Sequence, residues 1–185
     1  GGQNNGNGGG QVTPPTIVSV HDSNGSVQGD VAQNGVTDDA RPEIKGTSGA
    51  GATIQVYDNG SLLGSTTADS SGNWSYTPST ALADGAHGIT ATATNGAGNT
   101  SPSTGVYGFS VDTTAPAAPV ITTVTDDVGA VTGSLSAGAT TDDNQPTLTG
   151  TGEAGATLKL YDGSTILGSV QVDSHGNWSY TPTVP

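Results

Sequence analysis

Aspartate dominates the side chains of this sequence that could do chemistry. Of 16 acidic residues only Glu43 and Glu153 are not Asp; there are three basic residues, and the net charge is −13. The Asp residues cluster: Asp22, Asp38-Asp39, Asp58, Asp84 and Asp112 in the first part, then Asp126-Asp127, Asp142-Asp143, Asp162 and Asp173. Short carboxylates close to the main chain, mixed with main-chain carbonyls, are what calcium takes as ligands, whereas magnesium demands a tighter octahedron. The same side chain also closes turns by accepting hydrogen bonds from nearby backbone N–H groups. Two readings therefore stand side by side: calcium ligands, or turn formers carrying solvated charge.

Other chemistry finds little support. There is no Cys, which removes disulfides, thiol catalysis and Cys-based zinc sites. His21, His87 and His175 do not recur at matching places, so no repeated zinc site is expected. No nucleophile elbow, Gly-rich phosphate loop or metalloprotease helix is present, and the chain is read as non-enzymatic. The acidic balance argues against nucleic acid and anionic membrane, which need basic surface. No apolar run is long enough to span a bilayer. Asp69-Ser-Ser-Gly72-Asn73-Trp74 could present Trp to a sugar ring. Alternatively, Gly72 makes a turn and Trp74 supplies a sparse core with its largest apolar side chain.

The elements that must position these residues come from a repeat. Asp69-Ser-Ser-Gly-Asn-Trp-Ser-Tyr-Thr-Pro78 returns as Asp173-Ser-His-Gly-Asn-Trp-Ser-Tyr-Thr-Pro182, and the offset of 104 residues from Trp74 to Trp178 also pairs Thr37-Asp38-Asp39 with Thr141-Asp142-Asp143. A long period without slippage means tandem copies of one domain. The expected organisation is a Gly/Asn-rich linker at 1–11, a first domain at 12–112, an interdomain linker at 113–119, and a second copy at 120–185 that lacks its last two strands. Ile54 and Val56 alternate with polar residues, as do Ile89, Ala91 and Ala93, while Asp58-Asn59-Gly60 has hairpin-turn chemistry. About seven short strands with regular turns predict an all-β fold of tandem immunoglobulin-like antiparallel β-sandwiches. Such a sandwich would gather Asp22, Asp38, Asp39, Asp58, Asp84 and Asp112 at one pole of the first domain, and Asp126, Asp142 and Asp143 in the second. Like charges crowded there repel unless a cation neutralises them. Glu153 and Asp173, at the opposite pole of the second copy, would complete a junction site with Asp112.

The series Pro42-Glu-Ile-Lys-Gly-Thr47, Gly51-Ala-Thr53, Tyr57-Asp58, Asp69 to Pro78, Leu82-Ala-Asp-Gly-Ala-His87 and Ala93-Thr-Asn95 with Gly98-Asn-Thr-Ser101 resembles the bacterial immunoglobulin-like repeats of giant surface adhesins and biofilm-associated proteins. The resemblance covers nearly everything from Val12 onward. It implies a stalk of stacked sandwiches, exported by a type I secretion system and stiffened by calcium (Ca2+) at domain junctions. The expected function is a non-catalytic spacer of a secreted, cell-surface adhesin serving adhesion or biofilm formation. Its partners would be neighbouring repeats of the same chain and, through a distal region, a host or abiotic surface. The alternatives are a glycan- or ligand-binding module, or an accessory domain of a secreted enzyme or phage fibre.

Overall fold

The computed structural model describes residues 11–183, so the linker expected at 1–11 lies, except for Gln11, outside the described residues. The chain divides into two compact units between Thr114 and Ala115. Each unit is all-β.

The first unit contains nine strands: β1 (Thr16–Asp22), β2 (Gly29–Asp30), β3 (Gly35–Thr37), β4 (Glu43–Thr47), β5 (Thr53–Asp58), β6 (Ser61–Thr67), β7 (Asn73–Tyr76), β8 (Gly85–Thr94) and β9 (Tyr107–Val111). One sheet has the order β2-β1-β4-β7 and the other β3-β9-β8-β5-β6. Alternation explains the layers. Ile54 and Val56 in β5, and Ile89, Ala91 and Ala93 in β8, are all fully buried, while the alternating Thr90, Thr92 and Thr94 are half-buried on the other face. That period of two commits one face of each strand to the core. Val20, Ile44 and Trp74 from the opposite sheet fill the same core. Full burial of each large aliphatic contributes about 1.5–3 kcal/mol.

The turns follow their residue types. Asn59 (φ 47°) and Gly60 (φ 85°) both adopt positive φ, the two-residue hairpin geometry whose twist matches the flanking strands. A bulge between Ile17 and Ser19 shifts the pairing of β1 with β4. The strand β3 runs parallel to β9, with Gly35 opposite Phe109 and Thr37 opposite Val111. This pairing, together with Asp22 at the end of β1 and Gly85 opposite Val111, brings the ends of β1, β3 and β9 and the start of β8 to one pole.

The second unit contains β10 (Val120–Asp126), β11 (Gly133–Ser134), β12 (Thr147–Thr151), β13 (Thr157–Asp162), β14 (Thr165–Gln171) and β15 (Asn177–Tyr180). The sheet β11-β10-β12-β15 copies β2-β1-β4-β7, and the hairpin β13-β14 copies β5-β6, bulge included. Among the described residues this unit has no counterpart of β3, β8 or β9. Its core is correspondingly small, with Leu160, Val172 and Trp178 buried.

Candidate functional site

The polar pole of the first unit is built from the loop after β1 and the loop after β3. Asp22 ends β1 and is 5% exposed; Asp39 lies two residues past β3 and is 8% exposed. Asp22 Oδ1 accepts the Asn24 N–H (2.8 Å) and its Oδ2 accepts the Thr37 hydroxyl (2.6 Å). Asp39 Oδ1 accepts the Arg41 N–H (2.8 Å), and its Oδ2 accepts the Ser23 N–H and hydroxyl (3.1 and 3.3 Å). The Thr37 oxygen in turn accepts the Asp39 N–H (3.0 Å), so one hydroxyl links the two acids. Asp38 is exposed and lies over Gly25.

The second unit repeats this network almost bond for bond. Asp126 accepts the Val128 N–H (2.9 Å) and the Thr141 hydroxyl (2.6 Å). Asp143 accepts the Gln145 and Asp127 N–H groups (2.8 and 3.3 Å), and Thr141 again receives the Asp143 N–H. Asp142 covers Gly129 as Asp38 covers Gly25. Hydrogen bonds to a charged acceptor contribute roughly 1.5–3 kcal/mol each. Two or three such bonds per carboxylate offset part of the cost of burying it.

Asp58 has a different role. It ends β5 on the inward-facing side with Ile54 and Val56, opposite Ile89. Its Oδ2 meets His87 Nδ1 at 2.7 Å and its Oδ1 accepts the Gly88 N–H at 3.0 Å. His87 Nε2 meets the Ala83 carbonyl at 2.7 Å, and the imidazole packs at 5.7 Å from the Phe109 ring. The His87 side chain is 9% exposed. Burial works to lower the imidazole's pKa, but the Ala83 carbonyl and the Asp58 carboxylate outweigh it and hold the ring above its ordinary value. Sequence reading missed this pair, although parity carried the signal: His87 shares the inward face of Ile89, Ala91 and Ala93.

Asp84 and Asp112 meet on the segment that follows β9. Asp84 Oδ1 accepts the Thr113 N–H (3.1 Å) and hydroxyl (2.8 Å), and its Oδ2 accepts the Thr114 hydroxyl (3.0 Å). Asp112 Oδ1 accepts the Thr114 N–H (3.1 Å). The Thr113 hydroxyl and N–H, with the Thr114 hydroxyl, hold the Asp84 carboxyl below its usual value. In the second unit, Glu153 Oε2 accepts the Ala117 N–H (3.2 Å). Asp173 closes its own turn, accepting the His175 and Asn177 N–H groups. Among the described residues, no three His, Asp or Glu side chains come within reach of a single ion.

Both tryptophans and Tyr107 are turned inward, whereas Tyr161 is exposed. Trp74 is 3% exposed and its Nε1 donates to the Thr47 carbonyl (3.1 Å); Trp178 is 6% exposed and donates to Thr151 (3.1 Å). The Tyr107 hydroxyl donates to the Val31 carbonyl (2.7 Å).

The sandwich order of the first unit and its copying in the second agree with comparison by sequence family. Residues 11–113 and 117–185 each match the model of a bacterial Ig-like domain. The chain belongs to this family. A search of curated proteins finds no match to it. Bacterial Ig-like domains are generally non-catalytic and typically occur in extracellular or surface proteins. Within this bacterial Ig-like chain, the paired Asp22–Thr37–Asp39 and Asp126–Thr141–Asp143 networks tie two loops together at equivalent places. Among the described residues no helix is long and apolar enough to cross a membrane.

Proposed function

We propose that this chain is part of the stalk of a secreted bacterial surface adhesin, in which tandem Ig-like units act as non-catalytic spacers. Their task is to hold a distal adhesive region away from the cell, in adhesion or biofilm formation. The observation that carries this reading is the repetition itself: the same unit recurs at 104 residues, from Trp74 to Trp178, with the same loop-tying network in both copies. A glycan-binding role needs an exposed aromatic platform, and Trp74, Trp178 and Tyr107 are packed inward or committed through their polar atoms.

Calcium belongs to the proposal as a stiffener. The Asp22, Asp39, Asp126 and Asp143 carboxylates are buried as well as bonded by protein donors, and Asp58 is engaged by His87, so the proposal places the ion elsewhere. Asp84 is bonded too, by Thr113 and Thr114, but it and Asp112 stay open to an ion from solvent. Both are exposed, both offer hard oxygen donors, and both converge on Thr113–Thr114, where the chain leaves the first unit. A bound calcium ion would neutralise the two carboxylates and order that segment. Small-angle X-ray scattering of the chain, with calcium and with a chelator, tests both parts. The expected result is an elongated particle with a larger maximum dimension and less flexibility in calcium. Identical profiles would remove calcium from the reading, and a collapsed particle in both conditions would remove the spacer.

A further inference from the structure

Among the described residues, three turns share one construction, and one of them differs by a single atom. In the turn Asp69 to Asn73, Asp69 Oδ1 accepts the N–H groups of Ser71 (2.8 Å) and Asn73 (2.9 Å). In Asp173 to Asn177 the same oxygen accepts those of His175 and Asn177 at 2.8 and 2.9 Å. In Asn95 to Asn99 the acceptor is an amide oxygen: Asn95 Oδ1 receives the Ala97 and Asn99 N–H groups, both at 3.0 Å. The backbone is shared as well. The first residue's N–H bonds the fifth residue's carbonyl, and the fourth residue is a glycine at φ 83°, 82° and 88° (Gly72, Gly176, Gly98). Backbone donors, Asn73 before Ser71 and Asn177 before His175, hold the Asp69 and Asp173 carboxyls below their ordinary values. The turn therefore prefers a negative charge where Asn95 carries a neutral amide.

We propose that Asn95 is a site of spontaneous deamidation, converted to an acid through a cyclic imide formed with Gly96. The Gly96 nitrogen attacks Asn95 Cγ and loses its proton to solvent. The new N–Cγ bond replaces the Cγ–Nδ2 bond, and Nδ2 leaves as ammonia after taking up a proton. Water then opens the ring. Attack at Cγ gives aspartate in the original chain, and attack at the backbone carbonyl gives the isoaspartyl linkage. The net change is water consumed and ammonia released, with no redox partner. The Ala97 and Asn99 N–H groups lie on the oxygen that becomes the oxyanion of the tetrahedral intermediate, which is where preorganised donors lower a barrier.

The other described Asn-Gly pairs are each restrained at a reacting atom. Asn24 Nδ2 is bonded to the Asp38 carbonyl (3.2 Å) and Asn59 Nδ2 to the Ala86 carbonyl (3.3 Å), so their leaving groups are tied. At Asn34 the attacking nitrogen is tied, because the Gly35 N–H bonds the Ala32 carbonyl (2.7 Å). At Asn95 neither Nδ2 nor the Gly96 nitrogen has a partner among the described residues, and Gly96 is exposed.

The test is peptide mapping by mass spectrometry of the folded protein, held at mildly alkaline pH, with hydroxylamine to trap the imide. Asn95 is expected to convert roughly tenfold faster than Asn24, Asn34 and Asn59, a modest share of what oxyanion donors achieve in enzymes. In denaturant the four rates should converge. Gly96→Ala should slow conversion at Asn95 while leaving the fold intact, because an added methyl meets nothing within 4 Å. An Asn95 rate no higher than those of the other three sites overturns the proposal. So does a rate that rises on unfolding, or a Gly96→Ala rate equal to that of the parent.

Discussion

His87 carries the one inward-facing charge pair of the first unit's described residues, and its geometry selects a protonation state. Asp58 faces Nδ1 and the Ala83 carbonyl faces Nε2, both at 2.7 Å, so both ring nitrogens must carry protons to satisfy both contacts. The folded pKa is raised above the ordinary 6.5. Its contribution to stability is therefore complete below the unfolded value and is lost as pH rises through the folded one. Comparison with His87→Gln isolates this contribution, since the exposed His21–Asp30 pair is common to both proteins. The stability advantage of the parent over His87→Gln, read from urea midpoints, should shrink from mildly acidic to alkaline pH. A difference independent of pH would mean that His87 is neutral in the fold. The sequence shows Asp58 as an acidic turn residue but not its partner, because His87 is 29 positions away and reaches it only through the pairing of β5 with β8.

At the scale of elements, the long strands were legible and the short ones were not. Alternation in β5 and β8 is a local signal, and burial follows it residue by residue. The three-residue β3 has no room for a period. It exists because β9, more than 70 positions later, lies parallel to it, and the same Thr-Asp-Asp sequence in the second unit follows no strand. A second element-scale constraint is the contact between β4 and β7. Gly46 lies opposite Trp74, and a methyl there would run into the indole ring and the Thr16 carbonyl oxygen; Gly150 repeats this with Trp178 and Val120. Gly46→Ala should cost about 1–3 kcal/mol through overpacking, measured by urea denaturation. A change within about 0.5 kcal/mol, typical of an innocuous surface site, would show that the sheet yields easily at this point.

For the whole molecule, the duplication means two cores of unequal size under one sequence pattern. The first unit buries Val20, Ile44, Ile54, Val56, Ile89, Phe109 and Val111 around Trp74, whereas Trp178 has Leu160 and Val172 as its buried companions. Each tryptophan reports its own unit. With Trp74→Phe and Trp178→Phe proteins, the fluorescence of Trp178 should change at lower denaturant than that of Trp74, because less apolar surface is withdrawn from water around it. Coincident transitions would show instead that the two units unfold as one.

The sequence alone determined the repeat, the strand faces, the turn chemistry and the family, because each is written in local spacing or in comparison of one segment with another. It also located the acidic residues. Only the tertiary structure decided which protein donors reach the carboxylates of Asp22, Asp39, Asp58 and Asp84. A crowded carboxylate can be satisfied by a cation or by oriented N–H and O–H donors, and the sequence is compatible with both. Loop packing brings the Thr37 hydroxyl to Asp22, His87 to Asp58 and Thr113–Thr114 to Asp84, across 15 to 30 positions of chain. Those donors are fixed by which strand ends share a pole, a property of the folded sandwich that no short stretch of residues carries.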